Sequence, residues 1–289
     1  MRVPPSIRYG ILAIIILFGS PLRAGAPLGV PIGIVEEGQW TLGLEYGFEE
    51  ADLEAYGLSV RTVGGSPAYT AESIDIEGLK TNMIFGTLAY GVCDNWDLFV
   101  RVGIGDGQDD IAVGTTPGGN TEGFRYDGGY GLAWGLGTRA TFCHWGPWRF
   151  GGTAQVTWFD PKDSDFSSAN PASPNTVFAG RANIDFWQTQ VALAAVYQID
   201  TLTFWAGPFL QFVEGDLDRS GRILVDGADV GSFRGSSDIE ESSQLGIHTG
   251  VSWEISTRFN CHLEGQFTND SWFVGLGAVV RPGEFFAGP

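Results

Sequence analysis

The feature that most constrains this chain is a two-residue alternation of apolar with small or polar side chains, carried across a tight turn at Asp94-Asn95. Before the turn, Leu88, Tyr90 and Val92 share one face. After it, Leu98, Val100, Val102 and Ile104 share one face, with Asp97, Phe99, Arg101 and Gly103 opposite. Successive side chains of a strand point to opposite faces, so period two on both sides of an Asp-Asn turn reads as an antiparallel hairpin. The unit recurs along the chain, and no helical period is sustained after residue 30. One all-β domain over 27–289 is expected.

Ten strands follow from this pattern, at 39–48, 80–92, 96–105, 128–142, 148–159, 182–198, 201–213, 243–255, 259–267 and 272–281. Short connections alternate with long polar ones at 49–78, 106–126, 160–178 and 214–240. All short turns therefore lie at one end. Strands of this length cross a bilayer when tilted, and a barrel with short periplasmic turns and long extracellular loops has this form. The expected fold is a transmembrane antiparallel up-and-down β-barrel of about ten strands, with eight to twelve as the range. The strand at 80–92 has ambiguous parity, since Met83 and Phe85 oppose Ile84 and Leu88.

Composition sets the sidedness. The chain has 43 Gly, and Gly is heavily represented on the small or polar face of the strands, where exposed soluble strands avoid it. The large apolar face is then expected to meet lipid, in a closed sheet that satisfies its own backbone. Aromatic side chains fall at strand ends, as at membrane interfaces. Trp40, Tyr90, Trp96, Trp145, Trp148, Tyr197, Trp253 and Phe259 lie by the short turns. Tyr46, Phe48, Tyr130, Trp158, Phe178, Phe186, Phe212 and Trp272 lie by the long connections.

Residues 1–26 differ from the rest. Arg2 and Arg8 precede the apolar run 11–18, and Ala24, Gly25 and Ala26 follow. This is the pattern of a secretory signal peptide, with cleavage after Ala24 or Ala26. Its removal takes three Arg and no acid, moving the net charge from −18 to −21. A chain this acidic is a poor binder of nucleic acid. The acids cluster at 49–54, 106–110, 160–165, 214–218 and 238–241, each in or at the edge of a long connection. They read as a solvated rim, with divalent cations as the sharper alternative.

The strand unit Tyr90-Gly91-Val92 with Asp94-Asn95-Trp96-Asp97-Leu98-Phe99 resembles that of small bacterial outer-membrane barrels of the OmpA-like kind. The stretch with Ala206-Gly207-Pro208 and Glu214-Gly215-Asp216-Leu217 is similar to their penultimate hairpins. The resemblance spans 39–281. It implies a monomer in the bacterial cell outer membrane, in contact with lipid and lipopolysaccharide and inserted by the barrel-assembly machinery. Such barrels usually end on an aromatic residue. This chain ends Phe285-Phe286-Ala287-Gly288-Pro289, so Phe285 or Phe286 would serve.

Parity places Glu45, Arg101, Arg139, Arg149, Arg181, His248, Glu254, Glu264 and Arg281 in the lumen, where Arg–carboxylate pairs are expected. Ten strands lie near the size at which side chains fill the interior, so a narrow, charge-laced lumen is expected. The three His leave no Ser-His-acid or His-Asp set at the outer rim, and no enzyme activity is expected. Cys143-His144 and Cys261-His262 sit on opposite walls, too far apart to share one metal ion. No cofactor is expected. Cys93 and Cys143 lie in turns of neighbouring hairpins, either bridged or as two reduced thiols. The function expected is structural or surface-binding. A narrow porin-like channel for small solutes is the alternative, and a soluble secreted β-sandwich binding protein the third reading.

Overall fold

Alternation in this chain runs well past the apolar belt, and the strands run with it. The computed structural model describes residues 26–115, 122–170, 173–240 and 244–281. Among these residues are twelve strands: β1 (Trp40–Val63), β2 (Ser66–Cys93), β3 (Trp96–Thr115), β4 (Glu122–Trp145), β5 (Trp148–Asp160), β6 (Ser164–Asn170), β7 (Ser173–Ile199), β8 (Leu202–Val225), β9 (Ala228–Glu240), β10 (Leu245–Ser256), β11 (Phe259–Phe267) and β12 (Ser271–Val280). The segment before Ala26, read above as a signal peptide, and the C-terminal aromatics Phe285 and Phe286 lie outside the described residues.

The strands close two rings stacked end to end. Near the short turns, ten strands pair in the order β1-β2-β3-β4-β5-β7-β8-β10-β11-β12, and β12 pairs back to β1 from Leu42↔Val280 to Ala51↔Ser271. Farther from those turns, β1 and β8 change partners. β1 leaves β12 at Ala51 and pairs β9 from Glu54↔Glu240 to Val63↔Gly231. β8 leaves β10 at Leu210 and pairs β9 from Glu214↔Glu240 onward. The hairpin strands β10–β12 end there, and β6 takes the place of β5. The upper ring thus has eight strands, with β4 and β6 joined by single hydrogen bonds rather than a ladder, such as Asp127 N–H to the Ser164 hydroxyl at 2.9 Å.

Polarity inverts between the two rings. In the ten-strand ring the outer face carries Leu42, Leu44, Val100, Val102, Leu136, Leu193, Ile247 and Leu276, all exposed. This belt is about ten residues tall, the length a tilted strand needs to cross hydrocarbon. In the eight-strand ring the apolar side chains point inward. Leu53, Ile74, Ile76, Ile111, Phe124, Tyr126, Ile184, Leu217 and Ile239 form its core, while Glu54, Asp75, Arg125, Asp216 and Asp238 face out.

The long connections expected at 49–78, 160–178 and 214–240 are therefore mostly paired strand. The first is closed at Gly64-Gly65 and the third at Asp226-Gly227, both two-residue turns with positive φ that suit a hairpin's twist. Their outward acids resemble loop composition, and the inward apolar set has the parity opposite to the belt's. The same inversion corrects two expected interface aromatics. Phe178 and Phe186 are buried in the upper core. It also settles β2, where Thr81, Met83, Phe85 and Thr87 point inward and Ile84 and Leu88 outward.

Of the expected interface aromatics, Trp40, Tyr90, Trp96, Trp148, Trp158, Tyr197, Trp253 and Trp272 lie on the outer face of the lower ring. Several meet in cross-strand pairs: Trp40 with Tyr90 at 4.6 Å between centroids, Trp148 with Tyr197 at 4.6 Å, and Trp158 stacked on Trp134 at 4.1 Å. Cys93, Cys143 and Cys261 are free thiols.

Candidate functional site

The site with the densest chemistry is the lumen of the ten-strand ring, and the chain itself occupies it. Eight strands leave an interior just filled by side chains, so ten leave room to spare. Residues 26–39 supply the filling. Ala26 to Ile32 are all buried inside the ring, and the segment runs down to the short-turn end, where Glu37 bridges Gly91 before β1 begins. Its apolar side chains find apolar patches on the inner wall. Leu28 packs with Ala192 and Phe209, Val30 and Ile32 with Ala194, Val196 and Trp205, and Val35 with Ala89 and Phe99.

The segment's backbone has almost no ladder to join, so wall side chains satisfy it. Glu264 accepts from the N–H of Leu28 at 3.1 Å and of Gly29 at 2.8 Å. Arg101 donates to the Pro27 carbonyl at 2.6 Å and to Gln155 at 2.9 Å. Asp97 accepts from Ile34 N–H at 2.8 Å and pairs with Arg139 at 2.9 Å. Gly29 has φ +70, and a side chain there would meet Arg139 and Glu45 within 4.0 Å. Only glycine adopts that backbone freely.

A chain of amides completes the layer. Gln155 donates to Gln190, and Gln190 donates to both Gln211 and Gln266, at 2.6–2.9 Å. Gln266 donates to the Ala26 carbonyl at 2.8 Å, and Gln188 accepts from Ala26 N–H at 3.0 Å. Strands β5, β7, β8 and β11 are thus tied together and to the segment. Glu45 accepts from Thr87 at 2.8 Å.

The expected lumen residues divide into three groups. Glu45, Arg101, Arg139, His248 and Glu264 are buried inside the ring, with a ring nitrogen of His248 3.1 Å from the Leu193 carbonyl. Arg149, Glu254 and Arg281 lie half-buried at the short-turn mouth, where Arg149 donates to Gln198 and Arg281 to the Thr257 carbonyl. Arg181 is on the outer face of the upper ring, paired with Asp163 and Asp165. The parity of β7 puts Ala182 and Ile184 inward and Arg181 outward. Arg–carboxylate pairing was the expectation for the whole set. Inside the lower ring Arg139 has such a partner in Asp97, whereas Arg101 and Glu264 bind the entering backbone.

Asp97 and residues 26–35 were missed as site residues. Asp97 has the same parity as Arg101, and Leu28, Val30 and Ile32 alternate with Gly29 and Pro31. That alternation was the available signal.

Little space remains. A cavity of about 10 Å³ at the short-turn mouth is lined by Ile34, Thr41 and Arg281. Another of about 10 Å³ lies by Glu49, Leu79 and Phe186, at the join of the rings. A third, of about 20 Å³, lies in the upper ring beside Glu72 and Arg219. Each is about the size of one water. Above the belt, burial raises the Asp109 carboxyl to about 6 and pushes the Tyr126 hydroxyl up. Among the described residues no group of three or more His, Cys, Asp and Glu is arranged to hold a metal ion.

No protein-family model and no curated protein matches the chain. Solved structures similar to it in fold include the outer membrane protein OprG from Pseudomonas aeruginosa, with TM-score 0.44, 12% identity, and coverage of 85% of this chain and 96% of that one. The outer membrane protease OmpT from Escherichia coli has TM-score 0.43, 8% identity, and coverage of 83% and 94%. The toluene transporter TbuX from Ralstonia pickettii has TM-score 0.38, 11% identity, and coverage of 92% and 98%.

Proposed function

We propose that this chain is an integral barrel of a bacterial outer membrane, exported by residues 1–26, with a closed lumen. Its working surface is the acidic eight-strand extension that stands above the bilayer. Its role is structural or surface-binding. The observation that carries this reading is the filling of the interior at two levels: by residues 26–35 in the lower ring, and by apolar side chains in the upper one. An open porin needs a continuous polar lumen, and a plugged barrel does not conduct.

In this reading the short turns face the periplasm and the Gly64-Gly65 and Asp226-Gly227 hairpins face outward. The apolar belt meets lipid, with lipopolysaccharide beside the outer hairpins, and the barrel-assembly machinery inserts the monomer. The finer likeness to OmpA-like barrels belongs to the same proposal.

A second reading has specific support. The lumen segment is held by side-chain hydrogen bonds rather than by a sheet ladder, so it is removable in principle. Its displacement would open the lower ring, and a narrow channel for small solutes would then require the apolar core of the upper ring to part as well.

Fractionation, with boiled and unboiled gel electrophoresis, tests the membrane barrel. The expected result is outer-membrane recovery and a mobility shift on boiling. Topology is read with a membrane-impermeant maleimide on intact cells. Asp226→Cys should label at once, while native Cys93 and Cys143 should label only after permeabilisation. Immediate labelling of the native thiols would reverse the orientation, and recovery in the soluble fraction would overturn the membrane reading.

A further inference from the structure

The outer face of the upper ring is polar almost throughout, with one departure. Among the described residues, the large apolar side chains exposed above the belt are Tyr56, Leu58, Val63 and Tyr69. Val63 sits at the hairpin tip. The other three share the outer face of β1 and β2, where Leu58 lies opposite Ala71 and Val60 opposite Tyr69. Nothing in the fold asks for them: the core of this ring is complete on the inner face. Exposed apolar patches with polar rims mark interaction sites.

The rim is strongly acidic, and the register shows how it is built. One cross-strand row reads Asp75, Glu54, Glu240 and Glu214 over β2, β1, β9 and β8. The next row reads Ser73, Tyr56, Asp238, Asp216 and Asp185 over those strands and β7. All these acids are exposed, and no Lys or Arg stands in either row. Like charges directly opposite on a sheet are unfavourable, so stability alone does not account for the rows. Their field is felt locally. The Tyr56 hydroxyl donates to Glu54 at 2.6 Å, and Glu54, Asp75 and Glu240 hold it above its ordinary value. Arg234, beside Val60, is the nearest cation in register.

β1 is paired on both sides from Glu54 to Val63, so its backbone is saturated and a partner meets side chains only. We propose that this face docks a cationic polypeptide that presents aromatic or aliphatic side chains between its basic ones. Charge complementarity brings it to the acidic rows, and the stripe Tyr56, Leu58, Val60 and Tyr69 takes its apolar groups. The inference rests on the reading that the extension stands clear of the membrane.

The test uses the full-length protein in zwitterionic nanodiscs, with empty nanodiscs as reference, and two peptides of equal charge: Lys-Tyr-Lys-Gly-Lys-Tyr-Lys and Lys-Gly-Lys-Gly-Lys-Gly-Lys. The tyrosine peptide is expected to bind at least tenfold tighter. Leu58→Ser with Tyr69→Ser should abolish that advantage and leave the glycine peptide unchanged. Asp216→Asn with Asp238→Asn should weaken both at least fivefold. These side chains are exposed, and retained heat-shifted migration of each variant shows that it is folded. Equal affinity for the two peptides, or an advantage that survives Leu58→Ser with Tyr69→Ser, overturns the proposal. So does binding no stronger than to empty nanodiscs. Lumen conductance bears on the earlier reading alone, so the two fail separately.

Discussion

The guanidinium of Arg101 donates to the carbonyl oxygen of Pro27 at 2.6 Å, so a wall residue of β3 holds a segment that precedes the first strand. Glu264 on β11 takes the next two amides from across the lumen. The two residues clamp the segment from both sides. Arg101→Ala leaves a buried carbonyl with one donor fewer, and Glu264→Ala strands two buried amides. Each is expected to lower stability by about 1–3 kcal/mol, with Glu264→Ala the larger. Unfolding midpoints in detergent check this, and unchanged midpoints would mean that the segment is not held as described.

Arg139 and Asp97 form the buried ion pair of the lower ring, at 2.9 Å. Removing one partner leaves the other charged and desolvated, at a cost of about 3–5 kcal/mol. Asp97→Ala should therefore destabilise strongly. The double variant Asp97→Ala with Arg139→Leu should recover much of the loss, because the orphaned charge leaves with its partner. A strictly additive double-mutant cycle would contradict the pairing.

Asp109 gives the extension a pH dependence. Burial lifts its carboxyl to about 6 from an ordinary value near 3.8. Below the ordinary value both folded and unfolded chains are protonated, and no penalty arises. Between that value and about 6 the unfolded chain ionises first, so stability falls as pH rises. Above about 6 the penalty is complete. Asp109→Asn should stabilise at pH 7 by roughly 1 kcal/mol, a figure discounted for solvent screening. The gain should vanish below pH 4, as read by thermal unfolding at the two pH values.

The proposed export signal has a testable end. Ala26 N–H and its carbonyl each have a lumen partner, in Gln188 and Gln266. A chain that starts at Gly25 keeps both bonds, whereas one that starts at Pro27 loses them. Cleavage after Ala24 is the expected outcome, and intact mass of the purified protein decides between the two.

The membrane half was legible because its alternation is uniform. Leu42, Leu44, Val100 and Val102 face out, Gly43, Glu45 and Arg101 face in, and aromatics mark both ends. The upper half was hidden by its inversion. Ile74, Ile76, Leu217 and Ile239 alternate with acids just as regularly, but in a short segment outward acids look like loop composition. The partner switch of β1 at Ala51–Glu54 is set by tertiary pairing with β9, which no local pattern encodes. Of the site, Arg101, Arg139 and Glu264 could be placed by parity alone. Their partners could not, because residues 26–35 contain Gly29, Pro31 and Gly33 and read as a spacer before the first strand.

The closed lumen is tested most directly by single-channel recording of the purified barrel, intact and with residues 26–35 deleted, in planar bilayers. The intact protein is predicted to be silent, and so is the deletion, since the apolar core of the eight-strand ring still closes the passage. Large, steady conductance from the intact protein would contradict the account. Steady openings of a folded, heat-shifting deletion variant would show that the upper core does not close the passage by itself.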